Sequence, residues 1–388
     1  MKSVKNNLSS ESLVMVVVVL MSLGTVFVFS ASANISRDIE FHRFYEYPGL
    51  RQILFFPLAV LILYFVSLID YRRLRIGESF WKSPVVYLLI FSVLLLIAVL
   101  IPGIGTEINR ARRWIRIAVG PARISFQPSE LAKWVTIIFL AGFCVKFKYT
   151  LRLYWKRFAP VCALVGLVAG LIIIEDFGTA GFVALLSFLV LLIGGVKFWH
   201  ILTPMPFAFL AFLAAILKSP TRIQRIRAFL DPESWAGSSS YQASQSLVAL
   251  GSGGFLGKGL GGGISKYGHL PEDTTDFIFA IVGEELGFVG TCTVIVLFIC
   301  FVWLGMMVVS RCEDKFGKLL AAGIVLSIGI QAAINIGVVT VVLPTKGIPL
   351  PFVSAGGTSM LLSAAAVGVL VNIARQTDKQ DLTERLYE

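Results

Sequence analysis

Asp276 lies in HLPEDTTDFIFAIVGEELG (269–287), between two long apolar runs, where polar turn residues give way to an apolar stretch broken only by Glu284 and Glu285. An ionisable side chain at a water–membrane boundary is costly to hold, so a working role is the first hypothesis for it. The plain alternative is helix capping, with Thr275 or Asp276 accepting backbone N–H bonds at the start of a membrane helix. Cations collect on the face that carries this carboxylate. Segment 103–127 holds Arg110, Arg112, Arg113, Arg116 and Arg123, and segment 218–285 holds Lys218, Arg222, Arg225, Arg227, Lys258 and Lys266. Cations kept on an outer face against the usual bias suit an anionic ligand. Otherwise they pair at the surface with Glu107, Glu233, Glu272 and Asp273.

The elements that must position these residues are membrane spans. Hydrophobic residues make up 56% of the 388 positions and charged residues only 15%, against about a quarter in soluble chains; mean hydropathy is +0.83. Apolar runs long enough to cross roughly 30 Å of hydrocarbon lie near 14–33, 52–70, 84–102, 128–146, 159–175, 179–196, 199–217, 286–309, 318–342 and 355–374. The expectation is an all-α polytopic membrane protein of about ten transmembrane helices, in one membrane domain over 1–388. The first span is too long, and lacks a following A-x-A site, to read as a cleaved signal peptide. Segment 218–285, between the seventh and eighth spans, is the large extracytoplasmic loop and the segment most expected to carry function.

Lys2 and Lys5, the basic loops 71–83, 146–158 and 310–318, and the tail's Arg375, Lys379 and Arg385 favour both termini in the cytoplasm. The outer face is almost as basic, so totals of Lys and Arg decide orientation weakly. Within the large loop, TRIQRIRAFLDP (221–232) reads as a short amphipathic surface helix. Gly251 to Gly263 is too glycine-rich to span, and reads as a tight or re-entrant turn shielded by protein.

Several chemistries are excluded. The five cysteines include no C-x-x-C pair, and His42, His200 and His269 form no H-E-x-x-H, so neither a disulfide framework nor a zinc site is indicated. A P-loop ending at Gly257-Lys258 fails at Ser252 and Gly259. Gly257, Gly259 and Gly262 match G-x-G-x-x-G without a strand–helix context.

Further polar residues fall within or beside spans. Glu130 and Lys133 are three apart on a helix and can pair; structural support and a conduit for polar groups both fit them. Asp176, between two spans, suits an N-cap. Asn335 suits interhelical hydrogen bonding. Trp114, Trp134 and Trp155 flank spans as interface anchors.

Taken in order, RRWIRI (112–117), FQPSELAKW (126–134), DFGTA (176–180), YQASQSLVALGSGGFLGKGLG (241–261), LPEDTTDFIFAIVGEELG (270–287) and INIGVVTVVLPTKGIPLPFVSAGGTS (334–359) resemble the SEDS family (shape, elongation, division and sporulation) along nearly the whole chain. LPTKGIPLPF with Lys346, and the LPE…TDFIFA block, look more like its division and sporulation branch than its elongation branch. The resemblance implies peptidoglycan glycosyltransfer, in which lipid II is polymerised into glycan strands on the outer face of the cytoplasmic membrane. It maps the family's key carboxylate onto Asp276, its conserved tryptophan onto Trp114 and its QPSE-x-x-K pair onto Glu130 and Lys133. Two positions depart from the pattern: Glu175 stands where proline usually precedes the aspartate, and Ala355 where tyrosine is usual.

That reaction needs a carboxylate to take the proton of an acceptor sugar hydroxyl, the role assigned to Asp276. It also needs positive charge at a departing pyrophosphate. Lys346 and Lys258, with Arg113 and Arg116 behind them, are the candidate pyrophosphate ligands, and Trp114, Gln242, Gln245 and Ser354 further candidates for substrate contact. A divalent cation, Mg or Mn, is kept open as cofactor. The implied partners are lipid II, a cognate class B penicillin-binding protein and other divisome or elongation proteins, with no nucleic acid. A lipid II flippase would instead need a polar path through the membrane, for which Glu130–Lys133, Asp176 and Asn335 are the visible material. A non-catalytic scaffold for the transpeptidase is the third reading.

Overall fold

In the computed structural model, residues 8–32, 47–108, 111–119, 122–151, 153–231, 239–267, 270–345 and 347–387 are described. Lys346, Arg110, Arg152, Glu233, His42, His269 and the N-terminal Lys2 and Lys5 lie outside that set. The ten expected spans appear as helices in order. They are α1 (Leu8–Ser32), α2 (Pro48–Leu68), α3 (Pro84–Leu100), α4 (Pro128–Lys146), α5 (Ala159–Ile173), α6 (Phe177–Ile193), α7 (Met205–Leu217), α10 (Ile278–Arg311), α11 (Lys315–Val339) and α12 (Thr358–Tyr387). Among the described residues, eight helical stretches are long and apolar enough to cross a membrane, and α3 and α6 are shorter apolar helices. A one-turn helix, Phe198–Leu202, leads into α7. Helices α2, α3 and α4 each begin with proline in the first turn, where the missing N–H costs nothing and the fixed φ suits a helix.

Apolar side chains face outward on the peripheral helices, as a lipid-bathed surface requires; Phe207 on α7 is 76% exposed. Helix α4 is the opposite case, with most of its residues buried against α3, α6 and α11. Trp134 follows from that position: it lies in the core, 6% exposed, rather than at an interface as its place near a span end suggested.

Segment 103–127 is more than a loop. Strands β1 (Gly105–Ile108), β2 (Ala111–Val119) and β3 (Ala122–Phe126) form an antiparallel sheet in the order β1-β2-β3. Thr106 pairs with Trp114 but Glu107 pairs with Arg112, which leaves Arg113 as an extra, bulged residue in β2. The large loop contains two helices, α8 (Pro220–Leu230), where an amphipathic helix was expected, and α9 (Ser239–Ser252).

The glycine-rich segment after α9 forms turns that lock onto α10. Gly287, at φ 66° and ψ −158°, breaks the helix and frees backbone groups on either side. Lys258 N–H donates to Glu284 O (3.0 Å) and Gly259 N–H to Glu285 O (3.0 Å), while Phe288 N–H returns to Gly254 O (2.9 Å). A side chain at Gly253 or Gly257 would collide with the backbone at Gly283 or Glu285, so glycine is needed where the two backbones meet. Below the break, Lys258 Nζ meets Glu284 Oε1 at 2.7 Å and Lys266 Nζ meets Glu285 Oε1 at 3.0 Å.

Candidate active site

Asp276 sits two residues before α10, and its segment is held through its backbone. Asn335 of α11 donates its amide to Asp276 O (2.8 Å) and to Ile348 O (2.8 Å). Ser354 Oγ donates to Thr275 O (2.6 Å) and accepts Leu350 N–H (2.8 Å), and Ala355 N–H donates to Thr274 O (2.9 Å). The 347–355 loop is thereby stitched along the Asp276 segment. Phe352, at φ 66°, holds the left-handed conformation that a bulky residue resists. Gly24 of α1 admits that loop, since a Cβ there would strike Phe352 O and Val353 Cα.

The floor beneath is a buried polar chain. Lys133 Nζ, 1% exposed, donates to Glu130 Oε2 (2.8 Å) and Gln331 Oε1 (3.0 Å). Gln331 Nε2 donates to Pro349 O (2.9 Å), and Ser359 Oγ to Glu130 Oε2 (3.0 Å). Glu130 and Lys133 thus support the loop beside Asp276, and the pair is closed rather than laid out as a path. Asn335 likewise binds loop backbone rather than a neighbouring helix.

The Asp276 carboxylate itself is left uncommitted. The N-cap of α10 is Phe277, with no side-chain capping bond, so the capping alternative does not hold for Asp276 or for Thr275, whose hydroxyl turns to Glu272. Among the described residues no hydrogen bond reaches its oxygens. A methyl group at Gly347 would stand 3.0 Å from Asp276 Oδ2 and 4.0 Å from Arg113 Nη1, so the two charges flank one small gap. Burial pushes the Asp276 carboxyl up to about 7; Glu272 and Asp176 push the same way, and Arg113 and Arg225 oppose them.

Arg113 is aimed by its surroundings. Its Nε donates to Glu175 O (2.9 Å) and its Nη1 lies 3.5 Å from Asp176 Oδ2. Asp176 is the N-cap of α6, accepting Thr179 N–H at 3.0 Å, as expected from its position. Arg222 of α8 closes this side, donating to Ala215 O at the end of α7 and to Ile173 O at the end of α5. Arg225, one helical turn on, keeps its side chain exposed at the rim.

The other expected site residues fall elsewhere or have other work. Lys258 is engaged by Glu284 in the glycine-rich turns. Ser354 is 3% exposed, with its hydroxyl committed to backbone, so it positions the loop instead of offering a substrate contact. Arg116 is exposed on β2, and Trp114 is half-buried opposite Thr106. Gln242 and Gln245 are half-buried on α9, which is pinned to the end of α11 by Ser246 Oγ to Val339 O (2.9 Å). Among the described residues no hydrogen bond or ion pair joins any of these side chains to the Asp276 carboxylate. Arg225, Gln331 and the Glu175 carboxylate are site residues that sequence reading did not select. For Gln331 a signal existed, as a glutamine in the middle of an apolar run needs a partner.

A family model described as a cell cycle protein, FtsW/RodA/SpoVE, matches residues 10–379. The chain is 38% identical over 369 residues to a probable peptidoglycan glycosyltransferase FtsW of Coxiella burnetii, covering 92% of this chain and 94% of that one. It is 36% identical to the stage V sporulation protein E of Bacillus subtilis, covering 94% and 96%. Among solved structures it superposes with TM-score 0.73 and 26% identity on a chain from a study of how a peptidoglycan synthase complex coordinates polymerization and crosslinking, covering 94% and 97%. A mutant of the rod shape determining protein RodA from Thermus thermophilus matches with TM-score 0.63 and 25% identity, covering the same shares.

Proposed function

Since the chain belongs to the FtsW/RodA/SpoVE family of cell cycle proteins, we propose that it is a peptidoglycan glycosyltransferase with Asp276 as its general base. It is a multi-pass membrane protein, placed by this reading in the cytoplasmic membrane with both termini inside and the Asp276 side outside. The substrate is lipid II, whose lipid tail keeps the reacting sugars at the membrane edge. Asp276 takes the proton of the acceptor C4 hydroxyl as that oxygen bonds to C1 of the donor. The bond from C1 to the lipid pyrophosphate breaks, and the pyrophosphate leaves with the electron pair, its charge met by Arg113 and Arg225. Lys346 joins this proposal as the chain neighbour of Gly347, which abuts both Asp276 and Arg113.

One observation carries the assignment: an uncommitted carboxylate, raised to about 7, facing an arginine across a gap. A base poised near neutrality combines an available ionised form with real proton affinity. Among the described residues no group of three His, Cys, Asp or Glu side chains is placed to hold a metal ion; a magnesium ion held by one or two carboxylates and the substrate's own phosphates needs no such group. The closed Glu130–Lys133 pair favours bond chemistry over a transport path.

The test is glycan-strand formation from labelled lipid II by the purified chain with its class B penicillin-binding protein partner, beside Asp276→Ala. Strands from the parent and none from a folded, partner-bound variant support the assignment. Equal strands from both remove Asp276 from the chemistry. No strands from either, with partner and divalent cation supplied, return the flippase and scaffold readings.

A further inference from the structure

Arg113 is the residue that the bulge in β2 leaves without a partner across the sheet. Bulges re-aim a side chain, and they hold only where the freed backbone groups find other partners. Here the partner comes from outside the sheet. Glu175 Oε2 accepts the backbone N–H of Arg112 at 2.8 Å, one residue before the bulge. The carbonyl of the same residue accepts Arg113 Nε at 2.9 Å. Glu175 therefore grips the bulge at both its backbone and its projecting side chain. The next residue, Asp176, caps α6 and lies 3.5 Å from the guanidinium.

Glu175 also departs from the SEDS pattern, where proline is usual; the bond to Arg112 N–H needs the glutamate side chain, while the bond to Arg113 Nε uses only the backbone carbonyl. Its carboxylate is half-buried and accepts the Arg112 N–H. We propose that Glu175 is a positioning residue, whose side-chain hydrogen bond to Arg112 locks the β2 bulge and thereby holds Arg113 toward Asp276.

The consequence rests on the reading of Asp276 as base. The groups that face it are Glu272 from its own segment, Asp176 from the start of α6, Arg113 from β2 and Arg225 from α8. Arg113 favours the ionised carboxylate, so an Arg113 free to swing away leaves Asp276 protonated to higher pH. Arg112, Arg113 and Arg222 are the cations around Glu175.

The experiment is lipid II polymerisation by the full chain with its partner, across a pH series, for Glu175→Ala, Glu175→Gln and Glu175→Asp. Glu175→Ala is expected to lose about tenfold to a hundredfold in turnover, the usual cost of a misplaced group, with its acid limb moved to higher pH. Glu175→Gln, whose amide oxygen still accepts the Arg112 N–H, restores most of the turnover. Glu175→Asp, one methylene short, follows the alanine variant. Added to Arg113→Ala, Glu175→Ala costs nothing further, because the two act as one unit.

Parent-like turnover and acid limb in Glu175→Ala would overturn the proposal, as would equal impairment of the alanine and glutamine variants or additive loss with Arg113→Ala. If the alanine variant does not fold, the glutamine and aspartate pair decides by the same contrast. Full activity in Asp276→Ala would sink the base assignment, while the Glu175–Arg113 coupling in turnover would still stand or fall by the double variant.

Discussion

The glycine-rich turns and the Asp276 gap both set carboxylates beside cations, and they differ in how the charges are matched. In the turns, Glu284 and Glu285 are fully buried, and each has its own lysine at 3.0 Å or less. Glu284 also takes the N–H groups of Ile264 and Ser265, and Glu285 the Ser30 hydroxyl. At the gap, Arg113 is bound to Glu175 and Asp176, while the Asp276 carboxylate has neither an ion pair nor a hydrogen bond among the described residues. Matched pairs repay part of their desolvation and fix a shape. An unmatched carboxylate keeps its proton affinity, which is what a base requires. The sign of the charge at a position therefore says less about its role than whether the fold has already spent it.

Breaking each side of that contrast should give different losses. Asp276→Ala is expected to cost about two to four decades of turnover with little loss of folded protein, measured by strand formation beside a thermal melt. Lys266→Ala leaves Glu285 buried without its cation and should cost about 3–5 kcal/mol. That loss is read as a lower melting temperature in detergent, with the pH profile of surviving protein unchanged.

A titration sharpens the comparison. Asp276 has its pKa raised to about 7, so the folded chain holds that proton more tightly than the unfolded chain does. Its contribution to stability is full below the ordinary carboxylate pKa and is lost as pH rises through about 7. Asp276→Asn should therefore be more stable than the parent at alkaline pH, by about 1 kcal/mol or more, and nearly equal to it in acid. Parent turnover should fall as pH drops through about 7, as the base takes up its proton. The smallest effect belongs to Asp176→Ala, which removes the α6 cap and should cost about 1 kcal/mol, with a modest loss of turnover as Arg113 loses one neighbour.

Much of this was legible in the residues. The spans follow from apolar runs of membrane length, the Asp176 cap from an aspartate between two runs, and the candidacy of Asp276 from a carboxylate at a boundary. The misreadings share one cause, which is that a side chain's work depends on what lies across from it. Lys258 and Ser354 have the chemistry of substrate ligands, yet Glu284 and the backbone of the Asp276 segment claim them. Trp134 stands near a span end like an anchor, but α4 is encased. The aromatic and β-branched run of Trp114, Ile115, Ile117 and Val119 was a strand signal inside an apparent loop.

The sequence by itself determined the class of protein and the presence of an ionisable residue at the membrane edge, because span length and the cost of burying charge act locally. Only the tertiary structure decided that Asp276 stays unspent while Glu284, Glu285, Glu130 and Asp176 are matched. It also decided that Arg113, rather than its neighbours Arg112 or Arg116, points into the gap. A bulge sets that aim, and a bulge exists only in the register between two strands and in the partners that a distant helix end supplies.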